Sequence, residues 1–202
     1  MTVEQDKETI EPGRHSIRRE PNPKPTSTTA TRHPPGGWAL ALMRIGIGFV
    51  FLWAFLDKLF GLGYHTTAPQ AWVAGGSPTR GYLGHLKAGP LREMFAGWAG
   101  APWADWLFMV GLAGIGVAVM LGIGLRISAV TGTVMLLGMW AAEWPPARFG
   151  FTGDLTDSTN PVVDYHIIYA LALIVCAAAY AGHARGLGRA WERLVGRARW
   201  LL

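Results

Sequence analysis

The sequence predicts an all-α integral membrane protein: a four-transmembrane-helix bundle with interfacial helices in its first outer loop and a basic amphipathic helix at its C-terminus. Three observations carry this. Four stretches are apolar on every side rather than along one stripe, as helices are when lipid or protein surrounds them. Only 15% of the 202 residues are charged, against roughly a quarter in soluble domains. Ten tryptophans are present, and several flank the apolar stretches, as in the aromatic belts of a bilayer interface. The formal charge of +5 does not point to nucleic acid, because the arginines flank apolar spans instead of forming a patch. The single cysteine, Cys176, cannot form a disulfide within the chain and reads as a small helix-packing residue.

Residues 1–37 form a polar tail with charges of both signs, a Thr/Ser run and Pro21, Pro23, Pro25, Pro34 and Pro35. Such a segment cannot pack a core, so it is expected to be disordered and cytoplasmic. It lacks the apolar region of a cleaved signal peptide. The membrane domain covers residues 38–184, with spans at about 38–60, 102–125, 126–144 and 161–182. In the first span, Arg44, Gly48, Phe51, Phe55 and Lys58 recur at helical spacing on one face. Arg44 is expected to snorkel to the near headgroups in preference to an internal partner. Lys58 suits a helix C-terminus, whereas Asp57 is disfavoured there and calls for a cationic or hydrogen-bonding partner.

Between the first two spans, Pro90 opens a short helix with Leu91, Met94, Phe95 and Trp98 on one side, and Tyr82, Leu83 and Leu86 mark a shorter one. The Gly75-Gly76-Ser77-Pro78 segment is a turn without the spacing or lysine of a phosphate-binding loop. In the second span, Gly114, Ala118 and Gly122 form a small-residue stripe that lets another helix approach closely. Arg126 marks a tight turn into the third span, which stops before Pro145-Pro146 and leaves Glu143 at a helix C-terminus. The fourth span is expected to start with Asn160 as N-cap and Pro161 as first helical residue, and Ile167 to Gly182 are sixteen residues without a charge. Residues 185–202 are a basic amphipathic juxtamembrane helix, with Arg189, Arg193 and Arg197 on one face and Trp191, Leu194, Val195 and Ala198 on another.

Six Lys/Arg lie in the N-terminal tail, one in the second loop and five beyond Gly182. The positive-inside rule therefore puts both termini in the cytoplasm. Asp57, Lys58, Asp105, Glu143, Asp164 and His166 then collect on the outer side. Ionisable groups at membrane depth are functional suspects. Asp164 and His166 are two apart, which on a helix points them in different directions and argues against a shared proton. No metal-ligand spacing, nucleophile set or flavin motif is visible.

The run from Arg44-x-x-x-Gly48-x-x-Phe51 to Lys58-Leu59-Phe60-Gly61 resembles the first helix of the DoxX/DoxD family of small bacterial and archaeal membrane proteins. Ala71-Trp72-x-x-Gly75-Gly76-Ser77-Pro78-Thr79, the tryptophan-flanked second helix, and Asn160-Pro161-x-x-Asp164-x-His166-Ile167-Ile168-Tyr169-Ala170-Leu171 are also similar. The likeness covers about residues 37–190. Two positions depart: Phe55 stands where many members have glycine, and Tyr165 where a second acid is common. The resemblance implies a four-helix bundle in the plasma membrane, related to the small subunit of thiosulfate:quinone oxidoreductase, or more broadly to quinone, sulfur or oxidative-stress chemistry. On that footing His166, Glu143 and Lys58 are the candidate catalytic residues. Asp57, Asp164, Tyr169, Trp140 and Arg44 are assigned to a quinone pocket, with Lys58 and loop arginines attracting an anion such as thiosulfate. Quinone is the expected cofactor, and lipid and a partner protein subunit are the expected partners. The alternative is a non-catalytic membrane anchor for a partner enzyme.

Overall fold

The structure, a computed structural model, describes residues 37–183, 185–198 and 200. Residues 1–36 of the expected tail 1–37, and Arg199, Leu201 and Leu202 of the expected C-terminal helix, lie outside that set. Among the described residues the fold is helical, with one isolated bridge between Phe149 and Leu155.

Seven α-helices follow in order: α1 (Gly37–Phe60), α2 (Pro78–Leu83), α3 (Arg92–Trp98), α4 (Pro102–Leu121), α5 (Leu125–Glu143), α6 (Tyr165–Ala178) and α7 (Gly188–Val195). The first, fourth and fifth are long and apolar enough to cross a membrane. α1 packs along α4 and α5 along α6, while α4–α5 and α1–α6 contacts close the group around Phe51, Leu112, Ile115, Val119 and Leu173. Large apolar side chains such as Leu107, Val110, Val130 and Val134 point away from this core, as lipid-facing residues do.

The fourth expected span is shorter than its sequence indicates. α6 has 14 residues, or about 21 Å, against a hydrocarbon core of ~30 Å. Its start is not Asn160. The Asn160 side-chain Oδ1 accepts the N–H groups of Val162 and Val163 at 2.9 Å each, a local turn that competes with helix. Asp164 is the N-cap instead, its Oδ1 accepting the Ile167 N–H at 3.2 Å. At the other end Tyr180 has φ +48°, and the short 3₁₀ turn Ala181–His183 follows.

The close helix approach is also placed differently from the expected stripe. A methyl group on Gly114 would meet nothing within 4 Å, whereas one on Gly116 would lie 2.7 Å from the Leu52 backbone nitrogen, and one on Gly48 2.8 Å from that of Met120. Gly48 and Gly116 thus bring α1 and α4 together. Of the two glycines in the expected stripe only Gly122 meets a close backbone neighbour, Gly182 beyond α6, and it also ends α4 in the left-handed region (φ +74°).

Arg44 does not snorkel. It is 1% exposed, and its Nη1 donates to the carbonyls of Val119 (2.7 Å) and Met120 (2.5 Å), with Nη2 donating to that of Arg185 at 3.3 Å. The last carbonyls of α4 have no partners within their own helix, and the helix dipole makes that end a favourable place for a cation. Satisfying them internally outweighs reaching for headgroups.

The first connection folds on two carboxylates. Asp57 receives the N–H groups of Tyr64 (Oδ1, 3.2 Å) and His65 (Oδ2, 3.0 Å), so its partner is loop backbone rather than Lys58 or an arginine. Asp105 Oδ1 receives the Ser77 hydroxyl and the Thr79 N–H at 2.9 Å and the Thr79 hydroxyl at 2.6 Å. Ser77 in turn caps α2 by accepting from Arg80 N–H. In α3, Phe95 is buried while Leu91, Met94 and Trp98 stay exposed.

Candidate functional site

At the end of the group opposite Arg44, the C-termini of α1 and α5, the start of α6 and a side of α4 frame a cavity of ≈ 1170 Å³. Lys58, Phe108, Met139, Glu143, Asp164 and Tyr165 come from these helices; parts of the first connection between His65 and Lys87, and Pro145 and Thr156–Thr159 of the third loop, complete the wall.

Glu143 is the hub of that wall. Standing at the C-terminus of α5, where the dipole opposes its charge, it is balanced by two hydroxyl donors. Tyr82 and Tyr165 each donate to its Oε1 at 3.0 Å. Burial, reinforced by the charge and hydrogen bond of Glu143, pushes the Tyr82 phenol well above its ordinary value. Lys58 enters the same space from α1, its ammonium 5.8 Å from the centre of the Phe108 ring. Both oxygens of neighbouring Asp57 are taken by the loop backbone, which leaves the Lys58 charge directed to the cavity.

Asp164 and His166 form a pair, contrary to the two-apart expectation. His166 Nδ1 lies 2.7 Å from Asp164 Oδ2. Helical side-chain directions do not apply, because Asp164 is the extended N-cap residue (φ −108°, ψ −171°) and its side chain folds back over the first turn. His166 is fully enclosed. It is 0% exposed, lies beside the Tyr165 ring at 4.0 Å and keeps Nε2 without a partner among the described residues.

Of the expected site residues, Lys58, Glu143 and Asp164 line the cavity, and His166 stands one residue behind it through Asp164. Asp57 anchors the loop above. Tyr169 and Trp140 are not in the wall: Tyr169 packs against the apolar core, and Trp140 Nε1 donates to the Val162 carbonyl at 2.9 Å. Arg44 lies fourteen residues back along α1 from Lys58, about 21 Å at helical rise, and belongs to the other end. Sequence reasoning missed Tyr82 and Tyr165 as partners of Glu143. The one available hint was Tyr165 between Asp164 and His166.

Ligating atoms of Glu143, Asp164 and His166 fall within 4.8 Å of one another, a convergence that sequence spacing does not reveal. The three side chains could hold a divalent ion or share protons among themselves. The chain matches no protein-family model, no curated protein and no solved structure.

Proposed function

We propose that this chain is the membrane subunit of a quinone-linked oxidoreductase of the DoxX/DoxD kind, with the cavity receiving a quinone ring from the bilayer. The observation that carries this reading is Glu143, which holds the Tyr82 and Tyr165 hydroxyls at 3.0 Å in a wall shared with Lys58. A quinone on reduction takes up two electrons and two protons. Tyr82 and Tyr165 offer O–H groups to a ligand oxygen, and a proton given up there is replaced from water through Glu143, which takes it up as a carboxylate and passes it to the phenol oxygen it faces. Lys58 supplies positive charge to an oxygen that gains negative charge. His166 acts through Asp164, orienting that carboxylate and holding a proton at Nδ1.

The chain has one cysteine and no flavin or metal-ligand motif, so electrons arrive from a partner subunit. The cation distribution supports a plasma-membrane orientation with both termini cytoplasmic and the cavity outward. In this reading, the turns flanking α6 extend it into a fourth crossing.

The test is purification in mild detergent followed by mass spectrometry of the lipid extract and of co-purifying proteins. Wild type is expected to retain a quinone, and Lys58→Gln and Glu143→Gln to lose most of it while the protein stays folded. A partner protein recovered without any quinone would favour the anchor reading instead.

A further inference from the structure

At the Arg44 end, the chain beyond α6 turns back and seals the group. Leu187 N–H donates to the Leu121 carbonyl at 2.9 Å, and the Arg185 carbonyl accepts from Arg44 Nη2. Gly182 and Gly122 touch backbone to backbone, leaving no room for a side chain at Gly182. α7 is therefore fixed to the helix ends and cannot swing as a free tail.

Fixed in this way, α7 presents one strongly cationic side. Arg189 and Arg193 lie one turn apart on α7 and are exposed, as are Arg185 before it and Arg197 after Gly196, where the helix, shorter than the 185–202 expected, has already ended. None of these four guanidinium groups has a partner among the described residues. The only acid in α7, Glu192, is occupied by His183 Nε2 at 3.1 Å. Next to the arginine side, Leu194 is 78% exposed, and Trp200 beyond the helix is 69% exposed. Trp191, by contrast, turns toward Gly124 in the α4–α5 turn. Unpaired arginines bordered by exposed apolar side chains, on a helix held at the end of membrane-crossing helices, match a surface of anionic headgroups over acyl chains.

We propose that α7 and the residues leading into it are a docking surface for an anionic phospholipid leaflet. Docking presses the Arg185–Leu187 backbone onto the end of α4 and so stabilises the whole group. The inference requires only that the chain sits in a membrane and is independent of any quinone.

The experiment compares the full chain in nanodiscs of phosphatidylcholine alone with nanodiscs of phosphatidylcholine mixed with phosphatidylglycerol. Wild type is expected to melt several degrees higher in the mixed discs, and high salt should remove that gain. Arg189→Gln/Arg193→Gln/Arg197→Gln should melt equally in both. In native mass spectrometry it should hold phosphatidylglycerol roughly 100-fold more weakly, since each arginine near a charged surface is worth about five-fold. Arg193→Gln alone, a single exposed change compatible with folding, should show about five-fold. Equal melting of wild type in the two discs would overturn the proposal, as would a gain that persists in high salt or in the triple variant.

Discussion

Gly116→Ala against Gly114→Ala puts the α1–α4 interface to the test with one methyl group. On Gly116 that group would sit 2.7 Å from Leu52 N, 2.9 Å from its Cα and 3.0 Å from its Cβ, all within a helix that cannot deform locally. Ordinary contact begins near 3.4 Å, so α1 and α4 must separate by about 0.7 Å. That loosens the Gly48–Met120 contact as well, and overpacking of this kind costs about 1–3 kcal/mol. Alanine in place of glycine returns up to ~1 kcal/mol of helix propensity. At Gly114 nothing lies within 4 Å of the new methyl, so only the gain remains. The propensity gain is common to both, so the two variants should differ by the overpacking cost of about 1–3 kcal/mol, with Gly114→Ala neutral or stabilised and Gly116→Ala the less stable of the two. Equilibrium unfolding in mixed micelles, with unchanged m-values as a control, reads the difference. Matching effects at the two positions would refute the assignment of the interface to Gly48 and Gly116.

Asp57→Asn and Asp105→Asn should both loosen the first connection, because each carboxylate holds at least two donors worth about 1.5–3 kcal/mol each. Faster hydrogen exchange at Tyr64 and His65 in the first variant, and at Thr79 in the second, is the expected record. The raised Tyr82 phenol favours its neutral form in the fold, so its stabilisation is complete below the ordinary value of 10.0 and is lost as pH climbs above it. Tyr82→Phe should flatten alkaline unfolding in that range, and an unchanged alkaline limb would remove Tyr82 from the Glu143 pair. For orientation, cysteine at exposed Thr159 should label in intact cells and cysteine at exposed Ala190 only after permeabilisation. Native Cys176, buried in α6, should stay silent, and the reverse labelling would invert every outward assignment.

The three long helices could be read from the sequence to within about four residues, because unbroken apolarity ended by Gly61 or a proline pair is a one-dimensional signal; the end of the second was overrun to residue 125, where Gly122 in fact stops α4 at Leu121. Which sides face inward could not. Lipid and protein interior are equally apolar, so Val130 and Val134 at the surface read the same as Val119 in the core. Polar residues gave the better guide, since Asp57, Asp105 and His166 are all buried. Their partners stayed hidden because they lie on other elements: Tyr82 reaches Glu143 across 61 residues, and Ser77 reaches Asp105 across 28. The Asp164–His166 pair was missed for a different reason. Helical geometry was applied to a residue that precedes the helix.

The internal satisfaction of Arg44 also sets an order of events during synthesis. Its guanidinium belongs to α1, which leaves the ribosome before any of its acceptors, 75, 76 and 141 residues further along. At about 5–20 residues per second, the last of them emerges roughly 7–30 s after Arg44. An unsatisfied arginine within a membrane helix costs ~2.5–3.5 kcal/mol or more, so the nascent first helix is poorly suited to diffusing into lipid alone. It is expected to linger beside the insertion machinery until α4 arrives to take its charge. A chain interrupted before residue 102 would remain held there and be open to quality-control proteolysis.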